Sequence, residues 1–404
     1  MNKVKILAPA GNFESLMAAI NAGADEIYFG IGELNMRSAG ANNFEISDLP
    51  KIASLCQKKN IQTWVTLNTV VYDEEIEIIK KTLKEIKKAG IDGIIASDLA
   101  VIKEANSQKI EVCASTQMSV SNLETVKILS TWVDRIVLAR ELNLEQIKKI
   151  IEGIKKNNIK GPKGNLIEIE VFGHGAMCVA MSGRCQMSLY HYDLSANRGK
   201  CVQVCRRKYE VKDKDSGKKL VLDNDLVMSR SDMCTIGLLE KLVETGIKAI
   251  KIEGRARSAD YVDTVVRTYK KALELIEKNK YSKKEKEILL NDLKTVFNRG
   301  FSSGFYMGRS TDEWAVGENN LATETKILLG PIEHFYQKIK VAEIKLNKNY
   351  RVKNGDKYMI IGPSTGIYKD EFFDIKIEKE VLTFKTKQKV RKNDKLFLVV
   401  KNEN

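Results

Sequence analysis

The chain has 404 residues, of which 43% are hydrophobic and 30% charged, a composition typical of a folded protein and not of a disordered one. No apolar run approaches the ~18–20 residues of a membrane-spanning helix, and the N-terminal MNKVKILAPAG lacks a signal-peptide cleavage site. We therefore expect a cytoplasmic protein of two or three domains with no membrane partner. The net charge of +14 favours a polyanionic partner, although the general abundance of lysine weakens that inference.

The first 250 residues alternate short apolar runs with amphipathic stretches, a pattern typical of parallel βαβ units covered on both faces. The predicted strands are Lys5–Ala8, Glu26–Phe29, Thr63–Leu67, Gly93–Ala96, Glu111–Ala114, Arg135–Leu138, Ile167–Phe172 and Ala249–Ile252. The predicted helices are Phe13–Ala22, Glu74–Ala89, Leu123–Thr131, Leu144–Lys155 and Asp260–Asn279. Eight strands favour an α/β fold of the (β/α)8 TIM-like barrel type, with Leu226–Ser229 as a ninth candidate strand. No GxGxxG follows the first strand, which argues against a dinucleotide-binding sheet.

Residues 173–234 interrupt the barrel pattern and are rich in Cys, Gly, Arg and Ser. We call them the Cys-rich insertion. They contain a predicted hairpin, KYEVKDKDSGKKLVLD. Because the insertion follows a barrel strand, we expect it at the carboxyl ends of the strands, where barrel enzymes place their chemistry.

A second domain is predicted at the C-terminus, so that residues 1–320 form the barrel domain and residues 325–404 a small β-barrel. Its apolar runs alternate and are separated by Gly or Asn turns: KVAEIKL, YRVKNG, DKYMIIG, FFDIKIE, VLTFKT and KLFLVV. Residues 331–404 hold 17 Lys and Arg against 10 acids, half of the net charge of the chain. This density is consistent with contact to an RNA backbone, or alternatively with the solvated surface of a lysine-rich protein.

Five of the seven cysteines lie between positions 178 and 234. The odd total argues against a disulfide scaffold. Thiolates prefer zinc and iron–sulfur clusters, and four of them complete a tetrahedral shell or a cubane. The spacing predicts a metal or cluster site, with buried free cysteines as the alternative, and leaves open which four thiols bind: Cys178, Cys185, Cys201, Cys205 and Cys234. Cys56 and Cys113 lie in helix and strand patterns and fit a core role better.

Polar side chains recur at the ends of the predicted strands, which converge on one mouth in a barrel. They include Asn68, Ser97, Asp98, Ser115, Gln117, Arg140, Glu141, Lys251, Glu253, Arg255 and Arg257. The cationic members suit a carboxylate or phosphate, and some of these side chains are expected to be structural ion pairs.

Histidine is scarce, with His174, His191 and His334 the three in the chain. His174 follows a barrel strand and is a candidate acid or base, or a structural turn residue. Neither Gly-x-Ser-x-Gly nor HExxH occurs, so the sequence supports neither a serine-hydrolase triad nor a zincin metallopeptidase.

The segment EVFGHGAMCVAMSGRCQMS, residues Glu170–Ser188, resembles the signature of peptidase family U32, the collagenase-like family. The signature is Glu-x-Phe-x-x-Gly-[Ser/Ala]-aliphatic-Cys, four residues, then Gly-x-Cys-x-aliphatic-Ser, and every fixed position is met. Further family-like segments are LAPAGNFE, NRGKCVQVCRRKY, SRSDMC, KIEGRARS and FNRGFSSGF. The resemblance extends over the whole predicted barrel.

This resemblance implies a function other than proteolysis, because the better understood family members resemble oxygen-independent RNA and quinone hydroxylation proteins. It implies tRNA wobble 5-hydroxyuridine formation, with a 4Fe–4S cluster as cofactor and prephenate as co-substrate. A U32-type peptidase of unassigned catalytic type is the alternative function. Implied partners are tRNA, not DNA, and a second member of the family.

Carried over to this sequence, the resemblance implies the cluster ligands Cys178, Cys185, Cys201 and Cys234, with Cys205 as an alternative. We assign catalytic roles to His174, Glu253, Arg255 and Arg140. Binding of the co-substrate is assigned to Arg37, Asn68, Lys251 and Arg198.

Overall fold

The computed structural model describes residues 3–40, 42–219, 228–308, 314–315, 320–346 and 350–402. The N-terminal part consists of alternating strands and helices, and the C-terminal part of strands. Among the described residues, no helix combines the length and the apolar character needed to cross a membrane.

A closed barrel of eight parallel strands forms the larger domain. Its strands and two short accompanying ones are β1 Lys5–Ala10, β2 Glu26–Gly30, β3 Gln62–Leu67, β4 Gly93–Ala96, β5 Glu111–Ala114, β6 Arg135–Val137, β7 Glu168–Gly175, β8 Asp232–Cys234, β9 Ala249–Ile252 and β10 Phe301–Ser302. Strands β1 to β7 pair in sequence order, and β9 closes the ring by pairing with both β7 and β1. The predicted TIM-like barrel and its eight strands are therefore confirmed.

The ninth candidate strand falls partly on residues 226–227, which lie outside the described residues, and positions 228–229 are not in a strand. Instead, β8 begins at Asp232 and pairs antiparallel with the end of β7. Strand β10 pairs with β8. These two short strands extend the sheet beyond the barrel, at the carboxyl end of β7.

The helices that cover the barrel are α1 Phe13–Asn21, α2 Leu49–Gln57, α3 Ile76–Lys88, α4 Leu99–Ser107, α5 Leu123–Leu129, α6 Leu144–Lys156, α7 Met187–Tyr192, α8 Leu239–Glu244, α9 Ala259–Glu277 and α10 Lys283–Lys294. Capping residues explain where two of them begin, since Asn12 and Asn143 accept hydrogen bonds from the first turns of α1 and α6. Gly23 and Gly90 end α1 and α3 with positive φ, a conformation that glycine adopts without steric cost.

Within the Cys-rich insertion the described chain forms α7 and two 3₁₀ turns, Ala196–Arg198 and Val204–Arg206. Gly199 has φ +83°, and a Cβ there would collide with the carbonyl of Asn35 and the side chain of Ser38. The insertion therefore packs directly on the loop after β2. The predicted hairpin shows one antiparallel bridge, Lys212 with Lys219, and its second arm extends beyond the described residues.

The C-terminal domain is a seven-stranded antiparallel sheet among the described residues, with the order β14-β13-β17-β11-β12-β16-β15. Its strands are β11 Glu324–Tyr336, β12 Val341–Lys345, β13 Lys357–Gly362, β14 Gly366–Glu371, β15 Lys376–Glu378, β16 Val381–Lys385 and β17 Lys395–Lys401. The long β11 pairs with β17 through its first half and with β12 through its second, so it belongs to both halves of the sheet. Tyr358 and Phe384, one from each half, pack at 5.2 Å between ring centroids, which shows that the halves face each other.

The prediction of a separate C-terminal β domain is confirmed, with three differences in detail. The run YRVKNG forms no strand, because Lys353 to Asp356 make a turn in which Lys353 N donates to the Asp356 carboxylate. The long strand β11 was not among the predicted runs. Strand β14, whose GIYKDE lacks apolar alternation, was not predicted either, and it is formed by a hairpin with β13.

The β domain packs on the outer wall of the barrel, against α1 and α9. Ala18 and Ala259 meet Met359 and Ile367 in a small apolar cluster. Polar contacts flank this cluster, among them the Asn21 amide donating to the Thr365 carbonyl at 3.1 Å. The barrel mouth is thus left open beside the β domain.

Candidate functional site

A cavity of about 390 Å³ opens at the carboxyl ends of the barrel strands, under the Cys-rich insertion. Its described lining includes one carboxylate, that of Glu253, and six cationic side chains: Arg37, Arg140, Arg206, Lys251, Arg255 and Arg257. It also includes four thiols: Cys178, Cys185, Cys201 and Cys205. The amides of Asn68 and Gln117 and the rings of Tyr28 and Phe172 also line the cavity. The excess of positive charge makes this a site for an anion.

Glu253 is held at the centre of this charge by arginines from three loops. Its carboxylate accepts from Arg37 Nη2 at 3.0 Å and lies 3.7 Å from Arg140 Nη2. Burial alone would raise the pKa of the Glu253 carboxyl, but the charges of Arg37, Arg140 and Arg255 outweigh it and hold the pKa at about 2. Glu253 is therefore ionised at neutral pH and orients the arginines; in this state it has no proton to donate.

Arg255 and Arg140 are both buried, and they differ in how fully their donors are satisfied. Arg255 Nη1 donates to Asn35 and Thr66, each at 2.8 Å. Burial lowers the pKa of Arg255 to about 10, so it stays charged. Arg140 stacks 3.6 Å above the ring of Phe172 and donates to the Ala176 carbonyl, yet its Nε has no hydrogen-bond partner among the described residues. Arg140 is therefore less fully satisfied by the protein than Arg255.

Lys251 projects from β9 at the floor of the cavity and is connected to an ion network in the barrel core. Its Nζ lies 3.2 Å from Glu170 and 4.3 Å from the ring centroid of Tyr28. Glu170 is fully buried and is also paired with the buried Arg135. The network compensates each buried charge, as buried ions require, and fixes Lys251 in position.

The four cavity thiols come from three segments: Cys178 and Cys185 after β7, Cys201 after the first 3₁₀ turn of the insertion, and Cys205 within the second. Burial raises the pKa of the Cys205 thiol and Arg206 lowers it, while the thiols of the other three cysteines raise it further. The four cysteines line the same cavity. Sequence reasoning had left open whether Cys205 or Cys234 belongs with them.

Cys234 lies elsewhere, on β8 directly opposite His174 of β7. Burial raises the pKa of the Cys234 thiol to about 11 and lowers the pKa of His174 to about 3. His174 is 2% exposed and packs against Tyr269 and Tyr261, away from the cavity lining. Both side chains are therefore neutral at pH 7, the reverse of an activated thiolate–imidazolium pair.

Two other predicted residues have contrasting positions. Asn68 lines the cavity and contacts Ser115 and Gln117 through its amide nitrogen, both at 3.3 Å. Arg198 is outside the lining and forms a salt bridge with Glu75 while stacking on Tyr72 at 4.6 Å. Arg198 thus joins the insertion to the loop after β3.

Arg206 and Tyr28 line the cavity and were not predicted. Arg206 donates to the carbonyls of Met177 and Arg230, so it joins the segment before Cys178 to the chain before β8. The signal in the sequence that could have identified Arg206 was its position next to Cys205. Tyr28 gave no signal, because it lies in the continuous apolar run of β2.

Whether the thiols fit a metal group follows from their chemistry and arrangement. Four soft sulfur donors on one cavity wall match the ligand number of a cubane cluster. In the described part of the chain, however, no group of three or more His, Cys, Asp or Glu side chains is arranged closely enough to hold a metal ion. The donor set fits, and binding would require the sulfurs to turn toward a common centre.

Comparison of the sequence with known proteins identifies its family. The model of peptidase family U32 matches residues 11–316. A protein named collagenase from Porphyromonas gingivalis is 43% identical, with 100% of this chain and 99% of the relative covered. The tRNA hydroxylation protein P1 of Bacillus subtilis is 32% identical, covering 89% and 84%. The 23S rRNA 5-hydroxycytidine C2501 synthase of Escherichia coli is 31% identical, covering 77% of this chain and 46% of the relative.

Proposed function

The chain belongs to peptidase family U32, and we propose that it is an enzyme for oxygen-independent hydroxylation of RNA, forming 5-hydroxyuridine at the tRNA wobble position. The observation that carries this proposal is one cavity that combines four thiols with six cationic side chains and a single carboxylate. Relatives named for tRNA and 23S rRNA hydroxylation, which align with most of this chain, support it.

We propose Cys178, Cys185, Cys201 and Cys205 as the ligands of a 4Fe–4S cluster. All four line the cavity, whereas Cys234 is buried opposite His174 and takes no part in the lining. A cluster bound there would supply electron transfer beside the anion site. Arg206 would support the ligand loops, since it already connects the segment of Cys178 to the chain before β8.

The arginine-rich part of the cavity is proposed to bind the co-substrate prephenate. The two carboxylates of prephenate match the charge of Arg37, Arg140 and Arg255. In the described lining, these arginines share Glu253 as their one counter-ion. Arg140 lines the cavity, and Lys251 adds a fixed positive charge at the floor. Glu253 keeps the guanidinium groups oriented when no ligand is bound.

The C-terminal domain is proposed to hold RNA through its charge. It contributes half of the net charge in under a fifth of the chain, and its strands expose lysines, among them Lys376, Lys385 and Lys395. The domain is packed on α1 and α9 at the side of the barrel, so an RNA that contacts it can extend toward the mouth. We propose a second member of the family as an additional subunit.

A peptidase is the second candidate, favoured by the 43% identity to the protein named collagenase. The cavity offers little for that chemistry. All three histidines of the chain are described, and none lines the cavity beside the thiols. The cross-strand neighbours Cys234 and His174 have pKa values shifted away from those of a catalytic pair.

Mass spectrometry of tRNA nucleosides from a strain lacking the gene tests the proposal. We expect loss of 5-hydroxyuridine and its derivatives, restored by the wild-type gene and not by Cys178→Ala. Unchanged nucleosides, together with gelatin cleavage by wild-type protein but not by a matched Cys178→Ala preparation, would establish the peptidase instead. Anaerobically purified protein should absorb near 400 nm, and a colourless protein with zinc and no iron would refute the cluster.

A further inference from the structure

We propose that the exposed aromatic side chains of α7, Tyr190 and Tyr192, together with Arg207, are a stacking platform for an unpaired base of the substrate RNA. The inference rests on the proposed function, because it takes RNA as the substrate, and it adds a base-binding surface outside the cavity. We call these three residues the α7 platform.

Exposure is the first observation. The side chain of Tyr190 is 91% exposed and that of Tyr192 is 44% exposed. They stand on either side of His191 in the chain, and the centroid of the His191 ring lies 6.3 Å from that of Tyr190 and 6.2 Å from that of Tyr192. Large aromatic rings left this exposed to water indicate a surface that is covered by a partner.

The platform is fixed to the wall of the cavity through Ser188, one turn earlier on α7. Ser188 is 1% exposed, and its hydroxyl accepts from Val202 N at 3.2 Å and lies 4.0 Å from the Cys201 sulfur. Its carbonyl accepts from Leu194 N at 3.3 Å. Because Cys201 lines the cavity, a base stacked on α7 would be held close to the mouth.

The charge around the platform identifies the chemistry of the partner. Residues 176–208 contain six Lys and Arg against one acid, and several of the cations are exposed: Arg184, Lys200, Arg207 and Lys208. The Arg207 guanidinium lies 5.0 Å from the ring centroid of Tyr192 and donates to its hydroxyl. Proteins bind single-stranded RNA with cationic side chains that contact the phosphates and aromatic rings that stack on the bases.

The test is binding of the full-length protein to two RNA probes of equal length and charge, a uridine oligonucleotide and its abasic counterpart. Wild-type protein should bind the uridine probe more tightly. Tyr190→Ala should weaken uridine binding by roughly 5- to 150-fold and leave abasic binding unchanged, whereas Tyr190→Phe should keep the preference. Trp132→Ala is the matched control, since Trp132 is 42% exposed in the loop before β6, at the opposite end of the barrel.

Equal affinity of wild-type protein for both probes, or an unchanged uridine preference in Tyr190→Ala, would refute the platform. The platform would also be refuted if Tyr190→Ala weakened only the binding of denatured collagen, because the surface would then bind protein. The tRNA nucleoside analysis separates this from the proposed function. If the deletion strain loses 5-hydroxyuridine but Tyr190→Ala still prefers the uridine probe, the platform alone is refuted. If the nucleosides of the deletion strain are unchanged but Tyr190→Ala loses its preference for the uridine probe, the proposed function alone is refuted.

Discussion

Replacing Glu253 by Gln tests the electrostatics of the cavity most directly. Glu253 is the single carboxylate in the described lining, and Arg37, Arg140 and Arg255 surround it. The substitution keeps the shape of the side chain and removes its charge. We therefore expect lower stability, because the half-buried Arg37 and the buried Arg140 and Arg255 lose their counter-ion.

The magnitude follows from the pKa of the carboxyl, which is about 2 in the fold against an ordinary value of 4.5. That difference corresponds to about 3 kcal/mol of stability at pH 7. A depressed pKa contributes stability above the unfolded value and loses it as the pH falls through the folded value. Less than half of this contribution should remain at pH 3, and little of it at pH 2.

Urea unfolding at a series of pH values, followed by fluorescence of the buried Trp64, measures this contribution. The difference in unfolding free energy between wild type and Glu253→Gln should be largest at neutral pH and shrink toward pH 3. Glu145→Gln is the control, because Glu145 forms an exposed pair with Lys149 and should show no resolvable difference. A wild-type advantage that is absent at pH 7, or that grows as the pH falls, would contradict the reasoning.

Three further predictions concern the ligands, the anion site and the buried histidine. Cys205→Ser should lose iron on anaerobic purification while Cys234→Ser retains it, as measured by iron content; the opposite pattern would restore Cys234 to the ligand set. Arg140→Gln should weaken prephenate binding by roughly 10- to 100-fold in calorimetry, whereas Arg198→Gln, outside the lining, should change it less than about twofold. Burial lowers the pKa of His174 to about 3, so the stability of the wild-type protein should fall as the pH drops below about 6.5. In urea unfolding, His174→Gln should remove part of that fall. Identical pH profiles for the two proteins would show that His174 is not buried in its neutral form.

Local patterns were sufficient to predict the barrel strands, because a strand covered on both faces is apolar along most of its length. The runs EIYF, GIIA and AIKI needed no tertiary information to be recognised. Strand β14 was not predicted, because GIYKDE has no strand pattern of its own and becomes extended only by pairing with β13 in a hairpin. Local signals likewise indicated Asn68, Lys251 and Glu253, which follow or lie in strands whose ends meet at one mouth.

The sequence by itself determined that this chain forms a (β/α)8 barrel followed by a β domain, and that its cysteines and cations gather near the barrel mouth. Only the tertiary structure decided which of them share the cavity. Cys205 joins the other three thiols and Cys234 does not, because the path of the insertion, packed on the loop after β2, sets where each sulfur points. Closure of the barrel likewise brings together Arg37, Arg140 and Arg255 from distant loops, while burial takes His174 out of the site. Residue type and spacing act locally, whereas proximity and burial depend on the closed fold.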